Sequence, residues 1–328
     1  MQKTDARLGR IVRLLMSHAT VVVSETKIAE EIGISRSEVW RLVQQLRALG
    51  VSIAGHPATG YRLQAVPDLL LPDVLSPLVQ GTIFDNQIHH YYKIGSTNTV
   101  AMEAGNAGAP EGSVFLAERQ IAGRGRDAHN WYSAQSAGIY CSVVLRPALP
   151  PSEALILSLA AGLAVHSAIQ AIAPAVAVDL KWPNDVLIRG KKIAGILTEM
   201  NSEATRVRYI VIGIGINVNQ TIFPSELQRT ATSLRLATGT EWSRVELCTA
   251  LLKSLNREYR DLLENPGAHD SILRRFQEHS SSTRGCQVQV EENGGFEGVT
   301  EGLDQRGFLQ VRTAHGVRTV LSGTVRAK

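Results

Sequence analysis

The chain has 328 residues, 44% of them hydrophobic and 20% charged, with a net charge of +4. That balance excludes an intrinsically disordered chain and allows two or three domains with a sizeable core. Cys141, Cys248 and Cys286 lie far apart without a CxxC pair, so neither a disulfide framework nor a zinc site is expected.

The first residues run into an amphipathic pattern and lack the apolar core of a signal peptide, so a cytoplasmic protein without a membrane partner is expected. Leu8, Ile11, Leu14 and Leu15 recur at helical spacing over residues 6–17. Residues 27–33 read as a short helix closed by Gly33. Ser35-Arg36-Ser37-Glu38 reads as a capping box opening a third helix, with Val39, Leu42, Val43 and Leu46 as its buried face and Gly50 as its end. Residues 51–53 and 60–63 read as two short strands around a Pro/Gly turn. Together these make a winged helix-turn-helix over residues 1–66.

This segment holds 9 Lys+Arg and 5 Asp+Glu, whereas the rest of the chain is neutral. Arg36, Ser37, Trp40, Arg41 and Gln44 lie opposite the third helix's apolar face. There they can reach phosphates and base edges in a major groove. DNA binding is the expectation, with an ordinary solvated helix face as the alternative.

Residues 65–82, with Pro67, Pro72 and Pro77, read as a linker. Apolar strands then alternate with helices, predicting an α/β (α+β) domain with a mixed sheet over 67–282. Strands are expected at 89–94, 113–117, 139–145, 178–182, 192–198 and 207–212. Helices are expected at 99–104, 152–173, 243–263 and 267–279. The apolar stretch 154–178 contains His166, Gln170 and Pro174, and Pro150-Pro151-Ser152-Glu153 precedes it. It reads as a buried helix capped by Ser152 rather than a membrane span. Short strands at 286–290, 298–303, 308–313 and 317–321 predict an SH3-like β-barrel over 283–328.

Five clusters carry chemistry. Gly123-Arg124-Gly125-Arg126, followed by Trp131, sets two guanidinium forks between glycines and suits a small anion. Gly123-x-Gly125-x-x-Ala128 also fits a dinucleotide fingerprint, but no helical apolar period follows it. Ser96-Thr97-Asn98 ends a strand, where α/β folds commonly bind ligands and where helix caps also sit. Lys181-Trp182-Pro183-Asn184-Asp185 offers a cation, an amide and a carboxylate able to hold Mg²⁺, or simply a turn. Lys192 begins an apolar strand on the face of Ala194 and Ile196, either snorkelling or meeting an anion, and Gly195 allows close approach. Gly213–Asn219 ends the next strand with two glycines and two amides.

Seen together and in order, these motifs, with Gln120 and the weaker Ala231–Leu234 and Gly302-Leu303-Asp304…Gly307, make the chain resemble the bifunctional biotin–protein ligases that also repress biotin operons. The resemblance runs nearly the full length. It implies that biotin and ATP form biotinyl-5′-AMP, and that a lysine of the biotin carboxyl carrier protein of acetyl-CoA carboxylase then takes the biotinyl group. It implies Ser96, Thr97, Asn98, Gln120, Arg124, Gly125, Arg126, Lys192 and Gly195 at biotin. It also implies Arg126, Trp131, Asn184, Lys192 and Asn217 at the nucleotide, and Lys192 and Arg126 as the catalytic cations. Mg²⁺ would arrive with ATP near Asp185. The adenylate would act as co-repressor, favouring a ligand-bound homodimer on operator DNA. Relatives often continue the loop with a further Gly and Arg, where this chain has Asp127-Ala128-His129-Asn130; His129 could partly substitute for an arginine. Three rival readings are a ligase whose winged helix no longer regulates, a ligand-sensing transcription factor without ligase activity, and a lipoate-type ligase.

Overall fold

The computed structural model describes residues 3–65, 68–85, 87–126, 129–291, 295–321 and 324–327. Asp127, Ala128 and Pro67, singled out above, lie outside the described residues, as do both residues at the expected 66/67 boundary.

Three helices, α1 (Lys3–Ser17), α2 (Glu25–Ile32) and α3 (Arg36–Ala48), precede the hairpin β1 (Ile53–His56) and β2 (Gly60–Leu63). The caps are local. Ser24 and Ser35 each accept from the backbone N–H three residues on, and Gly33 closes α2 at φ 73°. Ser35 is not one half of a reciprocal box, because the Glu38 carboxylate accepts from Arg7 at 2.6 Å instead. Strand β2 adds a bridge from Tyr61 back to Val23, which ties the wing to the helices.

The expected linker is corrected. Pro72 begins a short helix, α4 (Pro72–Leu78), at the position where a missing N–H costs nothing. Leu69, Leu70, Leu71, Val74 and Leu75 are all buried, in the same continuous core as Leu8, Ile11 and Leu15 of α1. A Leu-rich segment that can bury itself becomes a connector packed between the two folded parts.

The remaining elements are β3 (Ile88–Tyr91), α5 (Thr97–Asn106), β4 (Val114–Ala117), β5 (Gly138–Leu145), α6 (Leu155–Ile172), β6 (Asp179–Lys181), β7 (Asp185–Ile188), β8 (Lys191–Ser202), β9 (Val207–Asn217), α7 (Leu234–Thr238), α8 (Arg244–Glu264) and α9 (Ala268–Glu278). The seven strands form one sheet in the order β3-β4-β5-β9-β8-β7-β6. Only β3–β4 is parallel, so the sheet is mixed as expected. Helix α5 covers one face over Phe115, Val144, Tyr209 and Val211. Helices α6 and α8 pack on the other, with α9 against both of them. Pro151–Ile172 is long and apolar enough to cross a membrane, but 67% of its apolar window is buried inside the fold. Ser152 is not its cap: residues Pro151–Glu153 form a separate 3₁₀ turn, and α6 begins after Ala154 without a side-chain cap.

The last five strands are β10 (Arg284–Glu291), β11 (Phe296–Leu303), β12 (Leu309–Thr313), β13 (Gly316–Val320) and β14 (Thr324–Ala327). They pair antiparallel in the order β13-β12-β11-β10-β14, a small all-antiparallel sheet compatible with the expected SH3-like barrel. The turn joining β11 to β12 is held by Asp304, whose carboxylate accepts from the N–H groups of Arg306 and Phe308. The carbonyl of Gly307 in that turn accepts from Trp182 Nε1 at 2.8 Å and joins the two sheets.

Candidate functional site

A cleft of about 1000 Å³, open mouth included, runs across β8 and β9 beneath the 120–131 loop. It was expected beyond strand ends, but its floor is mid-strand. The reason is three glycines. A Cβ on Gly213 would stand 2.0 Å from Asn98 Oδ1, and one on Gly215 would stand 2.5 Å from the Trp131 ring. One on Gly195 would stand 3.0 Å from that ring. Side chains from other segments therefore lie directly on the bare backbone of the sheet.

One end of the cleft is neutral and hydrogen-bonded. Gln120 Oε1 accepts from the Thr97 N–H at 2.8 Å and the Thr97 hydroxyl at 3.1 Å, while its Nε2 donates to Ser133. Ser142 Oγ stands within hydrogen-bond distance of Thr97 Oγ1 and Asn98 Oδ1. Ser96, Thr97 and Asn98 are buried, and Ser96 occupies the α5 N-cap position without bonding as a cap. The expected capping role is thus corrected: these side chains face the cleft network instead.

The other end is cationic. Arg126, Lys181 and Lys192 line it, whereas Arg124 lies near Asn98, both bonded to Glu199. Arg126 donates to Asn184 Oδ1 at 3.2 Å, and Asn184 is fixed in turn by the main chain of Ile196. Lys192 Nζ lies 2.6 Å from Asp185 and 5.6 Å from the centre of the Trp131 ring. Its placement corrects the expected alternation. Pairing of β7 with β8 steps from Val186↔Ala194 to Leu187↔Lys192, so Ile193 is an extra residue. Ile193 and Ala194 are both buried, and Lys192 is turned to the face of Gly195, where its Nζ lies 3.1 Å from a notional Gly195 Cβ. A bulge commonly re-aims a side chain in this way.

The biotin/lipoate A/B protein ligase family model matches residues 91–217, a helix-turn-helix model residues 7–62, and a biotin protein ligase C-terminal model residues 284–326. The bifunctional ligase/repressor BirA of Bacillus spizizenii is 35% identical over 318 residues, covering 96% of this chain and 97% of its own. The chain belongs to the bifunctional biotin ligase/repressors.

The ligase also resembles the biotin–[acetyl-CoA-carboxylase] ligase of Mycobacterium tuberculosis, at 36% identity over 69% of this chain and 83% of that one. Among solved structures it matches the Aquifex aeolicus biotin protein ligase in complex with biotin and ATP. There the TM-score is 0.64 at 29% identity, over 74% of this chain and all of that one.

The ligase's cleft brings together Ser96, Thr97, Asn98, Gln120, Arg124, Gly125, Arg126, Trp131, Asn184, Asp185, Lys192 and Gly195, and His129 joins them. Asn217 is a correction. It is buried and does not line the cleft, because its amide is spent on the Thr232 carbonyl and on Gln220. It holds the 230–232 segment that bonds the Lys192 main chain on both sides. Sequence reasoning missed Ser142, a buried hydroxyl in an otherwise apolar strand. It also missed Glu199, which shares the Gly195–Leu197 face of β8. The signal for Ser142 was a hydroxyl within a fully buried strand, and for Glu199 the period-two match to Gly195 and Leu197. Cys141 also lines the cleft, but burial pushes its thiol well above the usual range and keeps it protonated.

In the helix-turn-helix segment, Trp40 is about half exposed, and Ser37, Arg36 and Arg41 are exposed. Arg36 is tied to the buried Glu25 at 3.1 Å, and Arg41 lies 3.5 Å from Glu38.

Proposed function

We propose that this cleft joins biotin to AMP and delivers the biotinyl group to a lysine of a biotin carboxyl carrier protein. The observation that carries the reading is the convergence of Arg126 and Lys192 on a cleft whose far end is an amide–hydroxyl network with Arg124 beside it. The network around Ser96, Thr97, Asn98 and Gln120 suits the neutral ureido group of biotin. Arg124, beside Asn98, joins them at biotin. Arg126 and Lys192 draw the biotin carboxylate and the α-phosphate, also anionic, together, which is electrostatic stabilisation rather than proton transfer. The carboxylate oxygen bonds to the α-phosphorus as pyrophosphate leaves. The carrier lysine amine then attacks the acyl carbon, AMP departs, and the amine proton is released. Trp131 offers the nucleotide a ring face and a buried Nε1 without a protein partner among the described residues.

Magnesium supplies charge neutralisation of the triphosphate. The described residues hold no group of three metal-ligating side chains, so the donor set fits an ion that enters on ATP and touches Asp185, not a resident metal.

The DNA-binding segment then acts as a biotin-responsive repressor within a cytoplasmic homodimer, with the adenylate as co-repressor. One winged helix makes too few contacts for tight specific binding, so two half-sites are expected. The enzymatic reading is tested by mass spectrometry of an apo carrier domain after incubation with biotin, MgATP and the protein: a gain of one biotinyl group is expected, and no gain would refute it. Gel shifts on the protein's own biotin-operon promoter, with and without adenylate, test the regulatory half; the absence of a shift in both states would leave a ligase with a non-regulatory winged helix.

A further inference from the structure

A carboxylate stands beside this anion-binding cleft, bonded to two of the residues that line it, with no chemical step to perform. Glu199 projects from β8, its side chain 23% exposed. One oxygen accepts from Arg124 Nη2 at 2.6 Å, and the other accepts from Asn98 Nδ2 at 2.9 Å. These partners come from the arginine loop and from the start of α5, 75 and 101 residues away in the chain. Asn98 is held from its other side as well, its Oδ1 lying 2.6 Å from Ser142 Oγ, with Gly213 leaving space beneath it. Its amide therefore has a defined orientation, nitrogen toward Glu199 and oxygen toward Ser142. Arg124 is bound at one amino group of its fork, and a guanidinium has five donors, so capacity remains for a ligand.

We propose that Glu199 is a positioning residue for the ligase reaction. Its carboxylate aims Arg124 and Asn98 together, so that the two sides of the biotin end of the cleft are set before substrate enters. The inference rests on the reading that Arg124 meets biotin. A mobile arginine would lose side-chain freedom on binding each substrate; one already paired to Glu199 has lost it beforehand. The effect belongs in substrate affinity, because Glu199 touches neither the phosphate-directed pair Arg126 and Lys192 nor their partners Asn184 and Asp185.

The test compares wild type, Glu199→Gln, Arg124→Ala and the double variant, by pyrophosphate release over a biotin titration. Gln keeps the shape and the acceptor for Asn98 but removes the charge facing Arg124. The expected result is a biotin KM raised on the order of tenfold in Glu199→Gln, with kcat within threefold of wild type, and a double variant no worse than Arg124→Ala. Glu199→Asp, which keeps the charge but shortens the reach, is expected to fall between wild type and Glu199→Gln. A wild-type KM in Glu199→Gln alongside an impaired Arg124→Ala overturns the positioning role alone. Fully additive effects in the double variant also overturn it, because Glu199 would then act elsewhere. A wild-type KM in Arg124→Ala overturns the reading of the site and this inference with it.

Discussion

Lys192 is the residue on which the proposed chemistry of the cleft turns. The bulge at Ile193 brings its ammonium onto the glycine floor, between Asp185 and the Trp131 ring. Lys192→Ala is expected to lower adenylate synthesis roughly a hundredfold or more, about 3 kcal/mol, the usual loss on removing a preorganised charge from such a site. Steady-state pyrophosphate release measures it, and a variant within threefold of wild type would sink the assignment. The side chain is one-third exposed, so the fold should survive. Gly215 tests the floor separately. Its Cβ would meet Trp131 at 2.5 Å, so Gly215→Ala must displace the indole. A misplaced ring is expected to raise the KM for ATP on the order of tenfold, with a smaller effect on biotin. An unchanged ATP KM would show that Trp131 does not touch the nucleotide.

Helix α3 carries the residues expected to meet DNA, and its arginines differ in their second duties. Arg36 neutralises Glu25, which is only 5% exposed, so its removal would weaken the helix-turn-helix itself. Arg41 leans only on the partly exposed Glu38 and is the cleaner probe. Arg41→Ala is expected to weaken operator binding and lower the slope of log affinity against log salt by about 1, the signature of one lost phosphate contact. Gel-shift titrations at several salt concentrations give the slope. An unchanged slope would mean that Arg41 meets no phosphate. The arginine loop has partners of its own within the protein. Two neighbouring guanidinium groups should repel until an anion arrives, yet Arg124 is already paired with Glu199 and Arg126 with Asn184. That repulsion is thus partly relieved within the protein, before any ligand.

A buried ionic junction ties the folded parts together. Arg244, at the start of α8 and 1% exposed, donates to Glu118 at 2.7 Å and to Asp68 of the connector at 3.0 Å. His90 completes the cluster at 3.1 Å from Glu118. Burial pushes the Glu118 carboxyl up, but the charge of Arg244 and the hydrogen bond from His90 outweigh it and bring it down from 4.5 to about 2. A depressed carboxyl contributes stability that is complete above its ordinary value of 4.5 and is lost as pH falls toward about 2. Arg244→Ala leaves Glu118 buried without its cation and is expected to cost about 3–5 kcal/mol. Thermal unfolding against pH should show a lower Tm for this variant at neutral pH, with the gap to wild type narrowing as pH falls from 4.5 toward about 2, because only wild type has the depressed carboxyl to lose there. Overlapping curves would mean that the cluster is not ionised as drawn.

Composition, caps and motif order were enough to read the three-part organisation, the mixed sheet and nearly the whole lining of the cleft. Those features depend on near neighbours: Gly33 and Gly50 end helices by their own backbone freedom, and Gly123–Arg126 is a loop wherever it is placed. The rest required the folded chain. The proline-marked linker became a packed connector because distant helices offered its leucines a core. Lys192 changed face through a bulge that exists only once β7 and β8 pair. Asn217 lies outside the cleft lining, its amide nitrogen bonded to the Thr232 carbonyl. Glu199 and Arg244 take their meaning from partners 75, 101 and 126 residues away. A residue's chemistry is local and can be read in order, whereas the charge that aims it is set by which strands and helices come to lie together.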